Sequence, residues 1–557
     1  DVLGSRGLGD VYKRQIYKIW GVNKMRKRFF YAITALIMVL AMALAGCSSG
    51  SSDNSGSGNK TLVFGRGADT TSLDPATVTD GESFRVTQNI YETLVSYDYA
   101  HQSTKVKPGL AKSWKISSDG KTYTFTLNKG IKFSDGSAFD ADAVVYNFDR
   151  WMNGKASGKF AYFPSMFGGY KGDKALVIDS VTAPDKNTVV FKLKRPSAPF
   201  LQNLAMSPFA IASPKAIKKS GSKFGTSAAV GTGPYVFKSW KKNNTITLEK
   251  NSHYWKKGLP KTDSIVFKVI PDNGARLNAL KNGEIDIMDG LNPSDIDGLN
   301  SNKNLKVYYR PPMNIAYLGF NVTTKPFDNK KVRQALNMAV DKQAINKAFY
   351  NGAAQPAKNP MPPVLLGYNK NLKDYTYDLK AAKKLLAEAG YPHGFKTTLY
   401  TMSNPRDYMP QPNKTAEAIQ SSFGKIGVKV EIENVEWSSY IEKLMKGGAP
   451  MYLMGWIGDN GDPDNFLYTL LDKDSIGTNN LSFYKNDQLH KILIDAQSET
   501  DKAKRAALYE KAQEIIHEDA PWVPLEYAKA AMAGKSTISG YKPSPTGTEP
   551  LDNVTIK

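Results

Sequence analysis

The sequence predicts an α/β fold on three observations. From Thr61 onward, strand-like and helix-like segments alternate without internal repeats or further linkers. Apolar residues at period 2 carry turn signals at their ends, and apolar residues at helical spacing carry caps. Between Thr415 and Asp464 two helices and two strands follow one another in turn, the wind from which open α/β sheets are built.

In chain order, a hairpin is predicted to join residues 114–117 to 122–127 through Asp119-Gly120, a turn pair that tolerates the positive φ a tight hairpin needs. A second begins at Val181, turns over 184–187 and returns over 188–193. Asp378 can cap a helix over 379–389, with Leu379, Ala382, Leu385, Leu386 and Ala389 on one face and Gly390 ending it. The wind follows: a helix bearing Ile419, Phe423 and Ile426 that stops at Gly427, a strand with Val428, Val430 and Ile432, a helix from Ser438 to Gly447-Gly448, and a buried strand over 451–456. Open α/β sheets bind ligands outside the carboxyl ends of their strands. The segment Gly455-Trp456-Ile457-Gly458-Asp459-Asn460-Gly461-Asp462-Pro463-Asp464 lies at that end.

The chain has 557 residues, enough for three or four domain-sized blocks, with 41% hydrophobic and 11% aromatic residues. That composition excludes disorder for most of it. The single Cys cannot form an internal disulfide, and the five His (101, 253, 393, 490, 517) never fall at H-x-x-x-H spacing, so no zinc or iron-sulfur site and no cofactor is expected. The formal charge is +22. Its Lys are spread singly rather than gathered in a stripe with aromatics, so a solvated surface is expected and a nucleic-acid partner is not.

Residues 1–24 precede the first Met and read as an upstream or non-native extension. Residues 25–46 read as a secretory signal peptide: Arg26, Lys27 and Arg28, then seventeen apolar or small residues from Phe29 to Ala45, then Gly46. Leu44-Ala45-Gly46-Cys47 resembles the bacterial lipobox, which implies cleavage before Cys47 and acyl chains on its thiol and amine, palmitate among them. Two or more buried chains anchor a protein where one does not. Ser48 to Lys60 then reads as a flexible polar tether from the outer face of the cytoplasmic membrane. Gly46-Cys47-Ser48-Ser49-Gly50 matches the hydrolase pattern G-x-S-x-G only by position, because that motif needs a strand-to-helix elbow.

The loop's three acids, Asp459, Asp462 and Asp464, suggest calcium, but the EF-hand spacing fails because Gly461 and Pro463 fall on ligand positions. Hydrolysis would need a nucleophile and base that no constellation supplies, so the chain reads as a non-enzyme. Asp459 can instead accept a ligand cation between Trp456 and Trp437, with Asn460 adding hydrogen bonds. Arg406, in Asn404-Pro405-Arg406-Asp407-Tyr408, can hold a carboxylate bidentately. Together these suit a zwitterion, and a fixed cation and anion would measure the length of an extended dipeptide, about 7 Å. The same residues also read as a surface charge and core aromatics.

Several motifs then occur in order: Leu73-Asp74-Pro75, Gln88-Asn89-Ile90-Tyr91-Glu92-Thr93-Leu94, Gly130-Ile131-Lys132-Phe133-Ser134-Asp135-Gly136, Gly231-Thr232-Gly233-Pro234-Tyr235, Tyr254-Trp255, Asn282-Gly283-Glu284-Ile285-Asp286, and Pro326-Phe327-Asp328 through Val332-Arg333-Gln334-Ala335-Leu336. The set resembles the family 5 extracellular solute-binding proteins of ABC importers, the dipeptide and oligopeptide binders, over residues 61–557. The resemblance implies a two-lobed periplasmic-binding-protein type II clamp with a discontinuous first lobe (61–96, 218–310 and 535–557), an extra subdomain (97–217) and a second lobe (311–534). It implies a monomer that captures dipeptides or short oligopeptides for permease and ATPase subunits. By the same resemblance Trp456 and Asp459, in W-x-x-D, hold the peptide amino terminus, and Trp437 lines a side-chain pocket. Arg406 holds the carboxylate, although Asp407 and Met409 depart from the usual R-P-Y-N-P; Tyr408 and Asn460 complete the expected ligand contacts. Family members also take nickel, haem and sugars, and a secreted hydrolase is the alternative outside the family.

Overall fold

Leu62 and Phe64 alternate along Thr61–Arg66 and are fully buried, each contributing about 1.5–3 kcal/mol by leaving water. They place that strand inside a seven-stranded sheet, parallel to Ser264–Val269 on one side and to Ile287–Met288 on the other. The order is Leu305–Tyr309, Ala531–Lys535, Ile287–Met288, Thr61–Arg66, Ser264–Val269, Thr245–Lys250, Tyr235–Lys241. This computed structural model describes residues 60–403 and 405–557. The predicted signal peptide, Cys47 and tether lie outside them.

A second, six-stranded sheet has the order Ala354–Pro356, Trp522–Ala528, Asn314–Phe320, Met451–Ile457, Lys396–Met402, Lys429–Val435. Every residue of Asn314–Phe320 is buried, as befits a central strand covered on both faces. The wind from 412 onward lies here: Lys396–Met402 pairs in parallel with both Lys429–Val435 and Met451–Ile457. The helix Pro412–Gly424 buries Ile419 and Phe423, and Asp378 caps Leu379–Glu388 by accepting from the N–H groups of Lys380 and Ala381.

The two expected hairpins form one antiparallel sheet, in the order Ala111–Ile116, Thr122–Leu127, Thr188–Leu193, Ile178–Asp185. The helix Ala141–Met152 packs on it through Phe148, whose ring lies 4.8 Å from Phe191 and 4.7 Å from Trp151. This aromatic layer forms its own core.

The chain crosses between the two large sheets twice, through residues 310–313 and 529–530, and the Arg310 N–H donates to the Ala530 carbonyl at 3.0 Å where the crossings meet. The second crossing corrects the expected boundary at 534/535, because Ala531–Lys535 pairs within the first sheet. Ala-Met-Ala-Gly-Lys has no β-branched residue to announce a strand. Its place, second from the edge, is set by pairing with Ile287–Met288 on one side and Leu305–Tyr309 on the other. The result is a two-lobed α/β clamp with the aromatic layer beside it. No helix among the described residues is long and apolar enough to cross a membrane.

Candidate functional site

The strand Met451–Ile457 ends at the cleft, and Asn465 ties down the start of the loop after it. Asn465, at the start of the helix Asp464–Leu471, accepts on its Oδ1 from the Asp459 N–H and the Trp456 indole, both at 2.9 Å. Its Nδ2 donates to Asp459 Oδ2 at 3.0 Å. The other carboxylate oxygen accepts from the Tyr162 hydroxyl at 2.8 Å, across from the aromatic layer. Burial pushes the Asp459 carboxyl above the usual range, opposed by the Asn465 and Tyr162 hydrogen bonds. Neither Asn465 nor Tyr162 was expected. Asn465 sits nine residues after Trp456 and has a sequence signal in its helix-start position, whereas Tyr162 is 297 residues from Asp459 and has none.

The three loop acids have three different surroundings. Asp462 forms a bidentate pair with Arg505 at 2.7 and 2.8 Å, both side chains buried. Asp464 accepts from Gln497 at 3.0 Å, and burial pushes its pKa up to about 7. They do not converge on one cation with Asp459. Asn460 is also turned away from the cleft: its Nδ2 donates to Asn203 Oδ1 at 2.7 Å and its Oδ1 accepts from the Asp462 N–H at 2.9 Å. This corrects its expected ligand role, because a buried amide with both ends satisfied has little left for a ligand.

Arg406 lies in a turn whose first and last residues, Arg406 and Met409, exchange backbone hydrogen bonds at 3.0 and 2.8 Å. Its guanidinium lies over Trp437, 3.6 Å from the ring centroid, a contact that orients the planar fork. Trp437 begins the helix Trp437–Met445. Tyr408 is buried beneath the turn, with its carbonyl accepting from Tyr350 at 2.8 Å. Its ring passes so close to Gly455 that an added Cβ would lie 2.3 Å from Tyr408 Cδ2 and 2.5 Å from the Ile315 carbonyl oxygen. Gly455→Ala is therefore expected to lower stability by about 1–3 kcal/mol, read as a lower denaturant midpoint.

Arg406, Trp437, Tyr408, Trp456 and Asp459 all line one cleft of about 700 Å³ between the lobes. The first lobe's wall carries charges already paired: Arg85 holds Asp289 at 2.6 Å and Glu82 at 2.7 Å, and Arg276 Nε lies 3.2 Å from Asp289. Arg310 holds Glu549 at 2.6 Å and Asp407 at 3.1 Å. Among the described residues that line the cleft, Asp459 beside Trp456 and Arg406 on Trp437 form no ion pair, and neither do Asp80 and Lys529 farther along the lining.

The family described as bacterial extracellular solute-binding proteins, family 5 Middle, matches residues 105–478. Heme-binding protein A of Haemophilus influenzae is 35% identical over 548 residues, covering 94% of this chain and 98% of its own. The chain belongs to the family 5 bacterial extracellular solute-binding proteins. The dipeptide-binding protein of Escherichia coli is 36% identical to this solute-binding protein over 517 residues, 89% of this chain and 95% of that one. Among solved structures, the periplasmic binding protein DppA of Helicobacter pylori, in complex with the peptide STSA, matches with a TM-score of 0.76 and 40% identity, covering 89% of the solute-binding protein and 98% of its own chain.

Proposed function

We propose that this solute-binding protein captures short peptides as zwitterions and delivers them to an ABC importer, binding without turnover. Asp459 takes the peptide ammonium and Arg406 its carboxylate, with Trp456 and Trp437 as apolar walls and Tyr408 shaping the floor under Arg406. The observation that carries this reading is that these two cleft charges form no ion pair while Glu82, Arg85, Arg276, Asp289 and Arg310 are paired. A buried carboxylate without a cation is costly, and a ligand cation offsets that cost on binding. The names of the Escherichia coli and Helicobacter pylori relatives point to the same ligand class.

Titration calorimetry of the ligand-stripped protein tests it. Free dipeptides should bind, and an N-acetylated, amidated dipeptide of the same sequence should lose at least tenfold in affinity. Equal binding of free and blocked forms would sink the clamp, and no binding of any peptide would redirect the search to nickel, haem and sugars.

We further propose that the protein works as a monomer tethered through lipidated Cys47. Cys47→Ser is expected to move it from the membrane fraction to the medium; retention on membranes by the variant would remove the lipid anchor from this account.

A further inference from the structure

The turn that carries Arg406 presents its next residue to the other lobe. With Arg406 and Met409 exchanging both backbone bonds, Asp407 and Tyr408 form the tip. Tyr408 is buried in the second lobe, and Asp407 reaches the other way to Arg310 Nη1 at 3.1 Å. Arg310 stands at the first crossing between the lobes and is itself 8% exposed, whereas the Asp407 side chain is 46% exposed. The opposite edge of Arg310 holds Glu549 at 2.6 Å; Glu549 is fully buried and also accepts from Tyr541 at 3.1 Å. One guanidinium therefore stands between two carboxylates. Its shorter, drier pair is with Glu549, because attraction grows as distance and local dielectric fall. Asp407 is left as the half-compensated, solvent-facing member, and it lines the cleft beside Arg406.

Of the other cations lining the cleft, Arg85, Arg276, Arg406 and Lys529, none forms an ion pair with Asp407 among the described residues. Arg85 is held by Asp289 and Glu82, and Arg406 carries the charge that a ligand carboxylate would take.

Resting on the peptide reading above, we propose that Asp407 sets the side-chain preference at the peptide's carboxyl-terminal residue, favouring a basic side chain and rejecting an acidic one. A carboxylate seated on Arg406 lies in the cleft that Asp407 also lines. A lysine or arginine stem on the residue bearing it brings a cation to the exposed carboxylate. A glutamate would instead bring a third carboxylate to a guanidinium that already serves two, and such repulsion discriminates by disfavouring the wrong ligand.

Calorimetric titration with Ala-Lys, Ala-Gln and Ala-Glu at low ionic strength, where screening is weak, tests this on the wild type and on Asp407→Asn. The wild type is expected to bind in the order Ala-Lys, Ala-Gln, Ala-Glu, with about two- to fivefold between neighbours, the range of an exposed charge pair. In Asp407→Asn the three should fall within about twofold. Because Asp407 is exposed and Arg310 keeps Glu549, the variant should retain its melting temperature and bind Ala-Gln as the wild type does. Equal wild-type affinity for the three peptides overturns the inference, as does a spread that survives in Asp407→Asn. Absence of Ala-Gln binding to the wild type overturns the peptide reading, and this inference with it.

Discussion

Asp459→Asn is expected to lower affinity for a free dipeptide roughly 30- to 4,000-fold while leaving the ligand-free protein as stable or more so. Removing one partner of a desolvated charge pair costs about 2–5 kcal/mol, which converts to that range of dissociation constants. The fold itself should tolerate the change. The asparagine oxygen can keep the bond from Asn465 Nδ2, and its amide can donate to the Tyr162 hydroxyl, which accepts as readily as it donates. Stability follows from the direction of the carboxyl's shift. A raised pKa means the folded protein holds that proton more tightly than the unfolded chain, so ionisation costs stability as pH rises through the unfolded and then the folded value. An amide has no such cost at any pH. The same shift gives wild-type binding its acid limit, since affinity falls as pH drops through the raised Asp459 value. Its alkaline limit is the peptide α-amino group, about 8. Calorimetry across pH should therefore give a bell for the wild type, and in Asp459→Asn the acid limb should move down to the titration of the peptide's own carboxyl, about 3.5. Wild-type affinity in the variant would remove Asp459 from the site.

Arg406→Ala should lose about 100-fold in affinity for a free dipeptide, and close to nothing for the same dipeptide amidated at its carboxyl end. The guanidinium contributes a bidentate, charge-assisted contact that only a carboxylate can use. Its stack on Trp437 at 3.6 Å sets the plane of that contact before ligand arrives. Arg406→Lys keeps the charge but neither the fork nor the stack, so its loss should lie between wild type and alanine. Paired titrations of free and amidated peptide separate this from general damage to the cleft: equal losses for both would mean that Arg406 supports the fold rather than the carboxylate.

Local chemistry was readable in the sequence, and distant pairing was not. Asp119-Gly120 signals its hairpin and Asp378 its helix because turn and cap are encoded within a few residues. The wind ending in Met451–Ile457 was visible from periodicity, and with it the loop that carries Trp456 and Asp459. Ala531–Lys535 escaped notice because its place depends on neighbours more than 200 residues away rather than on its own propensity. Asn460 looked like a ligand contact because a loop amide beside an acid reads so, and only the approach of Asn203 shows where its hydrogen bond goes. Asp407 resembled a blemish in a motif until Arg310, from a different strand crossing, supplied its partner.

The bonds from Tyr162 to Asp459 and from Asn203 to Asn460 join the aromatic layer to the binding loop. At a net 0.5–1.5 kcal/mol each, two such bonds multiply the ratio of shut to gaping molecules by roughly 5 to 150. Because the same loop carries Asp459, whatever pairs with that carboxylate would also bear on the two bonds that hold the lobes together.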